Sequence, residues 1–253
     1  MPSHQSNKSV NDRVRAQAET VPPAATSNGI LAALSKPILR QLEGKLRPVP
    51  LEIGKILYEP DETIEQVYFV TEGIISLLAT LEDGASVEAG VIGPEGMLGI
   101  PIVLSAKSSP HLALVQGSGH AMKMTARDLR DAIKKDGVFL DLLLRYINAM
   151  FVQVAQTAAC NRLHTVEERL ARWLLLTHDR VKHDEFILTQ EFISRMLGVR
   201  RAGVNVSANS LRQDGLIDYR RGKVTILNRK GLERASCECY VTVKQEYDRY
   251  LPH

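Results

Sequence analysis

The chain reads as an α+β protein in three parts: an N-terminal jelly roll or β-roll, one long helix, and a C-terminal winged helix-turn-helix unit. Three observations carry this. Strand-like segments punctuated by glycine fill Arg47 to Met124, an apolar run without Pro or Gly spans residues 138–164, and residues 186–226 run helix, glycine turn, Arg-rich helix and basic hairpin. Short punctuated strands argue for a layered or closed β fold, and the uninterrupted run is far longer than a mean helix.

At 253 residues the chain is long enough for two domains with cores of their own, and 24% charged with 44% hydrophobic residues is ordinary for a globular protein. There is no run of ~18 apolar residues to suggest a membrane span, and the polar, proline-containing start lacks a signal core. Three unevenly spaced cysteines form no disulfide framework, so a reducing cytoplasm is the expected compartment.

Residues 1–28, ending "ETVPPAATSN", are polar and aperiodic and are expected to be a disordered arm. Short helices are expected at Ile30–Leu34 and Ile38–Leu46. In the first domain, 29–135, "KILYE", "QVYFVTEG", "IISLLATLEDG", "SVEAGVIG" and "LALVQG" read as strands, with "EDG" at 82–84 as a hairpin turn. The long helix, 136–164, carries Phe139, Leu143, Tyr146, Met150, Val154, Thr157 and Asn161 on one stripe. A symmetric partner helix is the economical cover, which makes Leu143, Tyr146, Met150, Val154, Thr157 and Asn161 a dimer interface. Burial against the β domain is the competing reading, and the two are compatible because such a helix has more than one face.

Thr165-x-x-Glu168 is a capping box that opens the third part, 165–253. Its first helix runs to about Arg180, with Leu170, Trp173 and Leu174 turned towards the helices that follow, and the junction at His164–Thr165 is the expected hinge. Thr189 is placed to cap the next helix, Glu191 sits at the positive end of its dipole, and Phe192, Ile193, Met196 and Leu197 recur at helical spacing. Gly198 suits the left-handed turn between two helices. The second helix, about Arg200 to Arg212, turns Val204, Ala208 and Leu211 inward and leaves Arg200, Arg201, Asn205 and Ser207 free. "YRRGKV" closes a hairpin bearing Arg220, Arg221 and Lys223.

Residues 189–234 hold ten Lys or Arg against four Asp or Glu, whereas the whole chain has a net charge of only +3. A local positive field of this kind attracts phosphates through counterion release. A helical hairpin with a solvated basic face is the bland alternative. The joint occurrence of turn glycine, Arg-bearing helix and basic wing favours a DNA reader.

The segments "VEERLARWLL", "LTQEFISRMLGVRR" and "LRQDGLIDYRRGKVTI" resemble the Crp/Fnr family of bacterial transcription regulators, and the likeness in organisation covers nearly everything after residue 30. It implies a homodimer on a palindromic operator in double-stranded DNA, with RNA polymerase as a further partner and a signal sensed in the β-roll. Where family relatives read bases with Arg-Glu-Thr-Val-Gly-Arg, this chain has Arg201, Ala202, Gly203, Val204, Asn205 and Val206. Arg201 keeps the fork that chelates guanine. Ala202 and Val206 replace the acid and the second arginine, exchanging bidentate pairing for apolar contact. Asn205 suits either adenine or solvent. Thr189, Gln190, Arg220, Arg221 and Lys223 are the expected phosphate contacts.

The family's nucleotide site would fall on Gly96, Met97, Gly99, Ser109, Pro110, Val154 and Ala155. Met97 stands where the family has Glu, and Ser109-Pro110 or Pro110-His111 where it has Arg-Ser; Glu95 lies nearby. No arginine occurs between Arg47 and Arg127, and Lys107 is the only cation from 93 to 116. A cyclic phosphate buried without a fixed counter-charge is disfavoured, so the resemblance implies a degenerate pocket and an unknown small-molecule or redox signal.

The family's oxygen sensors hold iron–sulfur clusters on N-terminal cysteines, and no cysteine here precedes Cys160. Cys160 and His164 lie four apart on one helix face, and two such pairs across a two-fold axis would make four zinc ligands. A buried thiol beside a hinge histidine is the preferred reading, and Cys237-x-Cys239 lacks C-x-x-C spacing, though an exposed thiol there could be oxidised reversibly. No local motif supports haem on His111, His120 or His164. No metal or cofactor is therefore expected, and no nucleophile elbow, Walker loop or H-E-x-x-H points to an enzyme. Two rival readings remain: a cyclic-nucleotide-responsive regulator, and a sensor whose output is protein contact.

Overall fold

The computed structural model describes residues 25–250 apart from residue 182. The expected arm lies outside the described residues up to 24, but its last residues belong to the fold. Residues Ala25–Ser27 form a 3-10 turn, and Asn28, fully buried, caps α1 (Gly29–Ala32) by accepting from the Leu31 amide. Its side-chain amide donates to the Val70 and Gly96 carbonyls, both at 2.7 Å. A buried polar group is retained where its hydrogen bonds are satisfied, and here that requirement orders a segment whose composition suggested none. Helix α2 (Lys36–Glu43) follows, with Pro37 in its first turn.

Strands β1 (Arg47–Leu51), β2 (Ile56–Tyr58), β3 (Gln66–Thr80), β4 (Ser86–Ile92), β5 (Met97–Leu98) and β6 (Leu112–Thr125) form one antiparallel system. The order is β1-β6-β3-β4, with β2 on β6 and β5 on β3. The long partners β3 and β6 shift register three times between Val70 and Ile75, which bends them into a roll. Glycine is required at the bend: a Cβ on Gly119 would lie 2.3 Å from the Glu72 carbonyl oxygen. The "EDG" turn joins β3 to β4 as read, with Asp83 accepting from the Ala85 amide at 2.9 Å. One-turn helix α3 (Ile100–Val103) leads out of β5.

Helix α4 (Ala126–Lys135) is capped by Thr125 and α5 (Gly137–Leu163) by Asp136. One face of α5 packs on β4 and on the C-terminal helix, burying Phe139, Leu143, Tyr146, Ala149, Met150, Gln153, Thr157 and Cys160. This corrects the predicted dimer stripe. Leu143, Tyr146, Met150 and Thr157 are covered by the chain's own core and have no surface to offer a second copy; Val154 is exposed and Asn161 half-buried. The outward face instead shows Leu144, Phe151, Val154, Ala155 and Ala158, with Leu140 and Ile147 at its margin. By length and composition α5 would suffice to cross a membrane, but its inner face is core.

Helix α6 (Val166–Val181) opens with the capping box: Thr165 N–H donates to Glu168 at 2.8 Å and Glu168 N–H returns to Thr165 Oγ1 at 3.3 Å. It is buried on nearly every side because it lies between the roll and the C-terminal unit. Trp173 donates its indole N–H to Glu88 of β4 at 2.8 Å, Gln116 donates to Thr177 at 3.3 Å, and Arg180 pairs with Glu95 at 2.7 Å. Beyond it come β7 (Glu185–Ile187), α7 (Gln190–Leu197), α8 (Arg201–Gln213), β8 (Ile217–Arg220), β9 (Lys223–Ile226), α9 (Arg229–Ala235) and α10 (Cys239–Tyr250). The small sheet runs β7-β9-β8.

Burial pushes the Glu88 carboxyl from 4.5 up to about 7, against the opposing pull of Ser76, Trp173, Arg172 and Arg180. A folded-state value above the unfolded one means stability is full below about pH 4.5 and is lost as pH rises through about 7. Glu88→Gln keeps the hydrogen-bonding shape without the ionisation. Denaturant melts should show the variant matching wild type in acid and exceeding it at pH ~8, by up to about 3 kcal/mol. Identical slopes with pH would show that Glu88 is not the titrating group.

Candidate nucleic-acid interface

The helix-turn-helix is assembled by local chemistry. Thr189 accepts from the Phe192 amide at 3.1 Å and starts α7; Gly198, at φ 60°, ends it in the left-handed conformation. Arg200 then stands at the N-cap position of α8, making no side-chain capping hydrogen bond among the described residues. Ile193, Met196 and Leu197 of α7 and Val204, Ala208 and Leu211 of α8 are buried, and Phe192 meets Trp173 at a ring separation of 6.4 Å. Ser207 is also buried, so it is no groove-facing residue: it shares the inward face with Val204 and Leu211, three before and four after.

The opposite face of α8 is open. Arg200, Arg201, Ala202, Asn205 and Val206 are exposed, Val206 at 70%, and a Cβ on half-buried Gly203 would meet nothing within 4 Å. Hydrogen bonds order the polar members across the two helices. Arg201 Nε donates to Gln190 at 3.3 Å, Gln190 donates to Asn205 at 3.0 Å, and Asn209 donates to the same Asn205 oxygen at 3.2 Å. Tyr219 of the wing donates to the Leu188 carbonyl at 3.0 Å, and its burial raises the phenol pKa while Arg201 pulls it back.

The wing turns at Arg221 (φ 52°) and Gly222 (φ 77°), two consecutive left-handed residues that form the tight hairpin matching strand twist. Arg220 pairs with Asp218 at 3.1 Å and Lys223 with Glu185, while Arg221 is exposed at the tip. Exposed pairs of this sort are worth about 0–1 kcal/mol, so a phosphate can displace the carboxylate. The remaining surface of α7 is braced on the roll: Arg195 donates to Ser86 at 2.8 Å, and a Cβ on Gly198 would come within 3.1 Å of Val87.

Several of the residues that the resemblance implies for an effector pocket are engaged in contacts within the chain. Tyr146 donates to the Met97 carbonyl at 3.0 Å and its ring lies against Gly96, where a Cβ would be 2.5 Å away. Met97 and Gly99 are buried, Ser109 contacts His111 at 3.3 Å, Pro110 is exposed, and Val154 and Ala155 lie on the outward side of α5. Glu95 is engaged by Arg180. A cavity of about 400 Å³ lies elsewhere, between the 94–95 loop, α6 and α10, lined by Glu95, Asp179, Arg180, Lys244 and Tyr247 among others. None of the seven assigned positions lines it.

One grouping escaped the sequence reading. Cys160 and His164 are joined by Cys237 and Cys239 of the same chain, with all four donor atoms within 4.8 Å of one another. The return of α10 along α5 creates this neighbourhood, and no spacing rule announces it.

Comparison with known proteins agrees with both halves of the fold. A cyclic nucleotide-binding domain matches residues 48–136 and a Crp-like helix-turn-helix domain residues 168–235. A global nitrogen regulator of Synechocystis sp. is 20% identical over 204 residues, 76% of this chain and 90% of the relative. The structure of FixK2 from Bradyrhizobium japonicum superposes with a TM-score of 0.65 at 18% identity, covering 76% of this chain and 98% of that one. A Crp/Fnr-family regulator from Eubacterium rectale gives 0.66 at 16% identity, covering 83% and 98%. With a roll, a long helix and a DNA-binding head in this order, and both domain types matched, the chain belongs to the Crp/Fnr family of transcription regulators.

Proposed function

We propose that this regulator acts as a cytoplasmic homodimer, reads a palindromic operator through α8, and responds to a signal other than cyclic AMP. The exposed row Arg200, Arg201, Ala202, Asn205 and Val206, flanked by the wing, is the observation that carries the reading. Arg201 reads guanine with its fork, Asn205 suits adenine, and Ala202 and Val206 meet thymine methyls. Thr189, Gln190, Arg220, Arg221 and Lys223 hold the phosphates that set register. The working units are the roll (29–135), the long helix (136–164) and the head (165–253), with RNA polymerase as a downstream partner.

Dimer formation is assigned to the outward face of α5, because Leu144, Phe151, Val154, Ala155 and Ala158 make an apolar stripe that the described residues leave uncovered. Two heads related by a two-fold axis then meet half-sites one helical turn apart, about 34 Å. The case against cyclic AMP is the Tyr146 ring over Gly96, the apolar Met97, and the missing arginine. Nothing in the site favours chemistry on a substrate.

Arg201→Ala should relax discrimination at one base pair by ~1–3 kcal/mol, whereas Lys223→Ala should weaken all sequences alike and reduce the salt slope by about one. Binding titrations on an operator and its single-base variants at several salt concentrations separate the two. Equal, uniform losses would remove the role assignment, and failure to distinguish operator from random DNA would favour the protein-docking alternative. Phe151, 69% exposed, tests the dimer. Phe151→Glu should give monomers in sedimentation equilibrium and lose operator affinity; a persisting dimer would place the interface elsewhere. Titration calorimetry with cyclic AMP should give no binding heat, and a saturable isotherm would restore the cyclic-nucleotide reading.

A further inference from the structure

We propose that Cys160, His164, Cys237 and Cys239 are the four ligands of a zinc ion that fastens the C-terminal helix to the end of the long helix, at the hinge. The donors come from three segments: the last turn and C-cap of α5 (Cys160, His164), the turn after α9 (Cys237), and the first residue of α10 (Cys239). Cys160 Sγ lies 3.5 Å from Cys237 Sγ, and Cys239 Sγ lies 3.5 Å from His164 Nδ1. A tetrahedral zinc with Zn–S about 2.3 Å and Zn–N about 2.0 Å separates sulfurs by about 3.8 Å and sulfur from nitrogen by about 3.5 Å. Two of the donor separations already stand close to those values, and the remaining ones lie within 4.8 Å.

The surroundings suit a bound cation as well. His164 turns its other nitrogen, Nε2, to Glu238 at 3.3 Å, leaving Nδ1 towards the three sulfurs. That is the carboxylate–histidine arrangement that orients a metal-ligating imidazole. Gln156 donates to Cys239 Sγ at 3.2 Å, which suits a thiolate.

Charge gives an independent reason. Arg169 and Arg172 are 7% and 4% exposed, and each leaves Nε without a hydrogen-bond partner among the described residues. Arg172 reaches Thr157, one turn before Cys160, at 3.4 Å, and Arg169 reaches the Leu197 carbonyl. Neither makes an ion pair with a carboxylate among the described residues: Arg172 also acts on the Glu88 carboxyl, whereas the opposite charge that acts on Arg169 is that of Cys160. Buried cations require compensation. Three thiolates and a neutral imidazole on one dication carry a net charge of −1 beside these two guanidiniums. Zinc is the ion this donor set selects: thiolate and imidazole exclude magnesium and calcium, and four protein ligands close the coordination shell, as in structural sites. Binding releases the three thiol protons.

The ligands Cys160 and Cys237 are 77 residues apart and enclose the matched helix-turn-helix domain, residues 168–235. Metal there would order the hinge and the tail together, and this assignment stands whether or not the head reads DNA.

The test uses the full chain purified under reductant. Elemental analysis should find one zinc per chain, and a chelator should lower the melting temperature reversibly. Cobalt substituted for zinc should show thiolate charge-transfer and tetrahedral d–d bands. Cys237→Ser and Cys239→Ser should lose the metal, and Glu238→Ala should keep the site but weaken zinc affinity ~10–100-fold. Wild-type cobalt spectra need no variant and so survive any folding defect in the mutants. Reduced protein that takes up neither zinc nor cobalt overturns the proposal, as does a Cys160–Cys237 disulfide in the reduced preparation. Zinc content is read without DNA, so its failure leaves the operator reading standing.

Discussion

The guanidinium of Arg180 is the point on which the arrangement of the two halves depends. It is buried, pairs with Glu95 in the β4–β5 loop, donates to the Leu176 carbonyl at 2.8 Å, reaches Gln153 of α5 at 3.4 Å, and lies 5.8 Å over the ring of Tyr247. Sensor loop, long helix, head and tail all meet on one cation. Such a pair adds little stability by itself, since desolvation offsets its attraction, but removing one partner strands a buried charge at a cost of about 3–5 kcal/mol. It therefore acts as a register mark, and the chain conforms to it: a Cβ on Gly93 would lie 2.5 Å from the Arg180 Cγ.

This seam joins the roll to the head along two lines of contact. One runs along α5 to the hinge. The other is direct, from the β3–β4 hairpin to α7 through Ser86–Arg195 and the close approach of Val87 to Gly198, reinforced by Glu88–Trp173. The second line of contact reaches the turn preceding α8 without passing through the long helix. Coupling of this kind needs only two discrete packings of one contact surface.

What could be read from the residues alone was what local chemistry decides. The capping box at Thr165, the Thr189 cap, the Gly198 turn, the "EDG" hairpin and the inward face of α8 all follow from interactions within a few residues, and each is present. The phase of α5 was misread because both of its faces are apolar: a 3.6-residue period marks stripes but does not say which one the chain itself covers. Ser207 was placed outward on polarity, although its position shares a face with Leu211. Asn28 and the Cys160–His164–Cys237–Cys239 group depend on partners 42 to 83 residues away, and no local pattern encodes that proximity. The contact of the Tyr146 ring with Gly96 likewise has no local signature, since the two lie on separate elements.

The adjacency of Cys160 and Cys237 also fixes how the head is strung. The polypeptide enters the head at the end of α5 and leaves it, after α9, at the same spot, so the intervening seventy-odd residues hang from a single pivot. Both connections between the head and the long helix therefore pass through one place, and the side-chain seam sets the head's orientation about it. The side-chain contacts centred on Arg180 are what hold the head against the roll at that pivot.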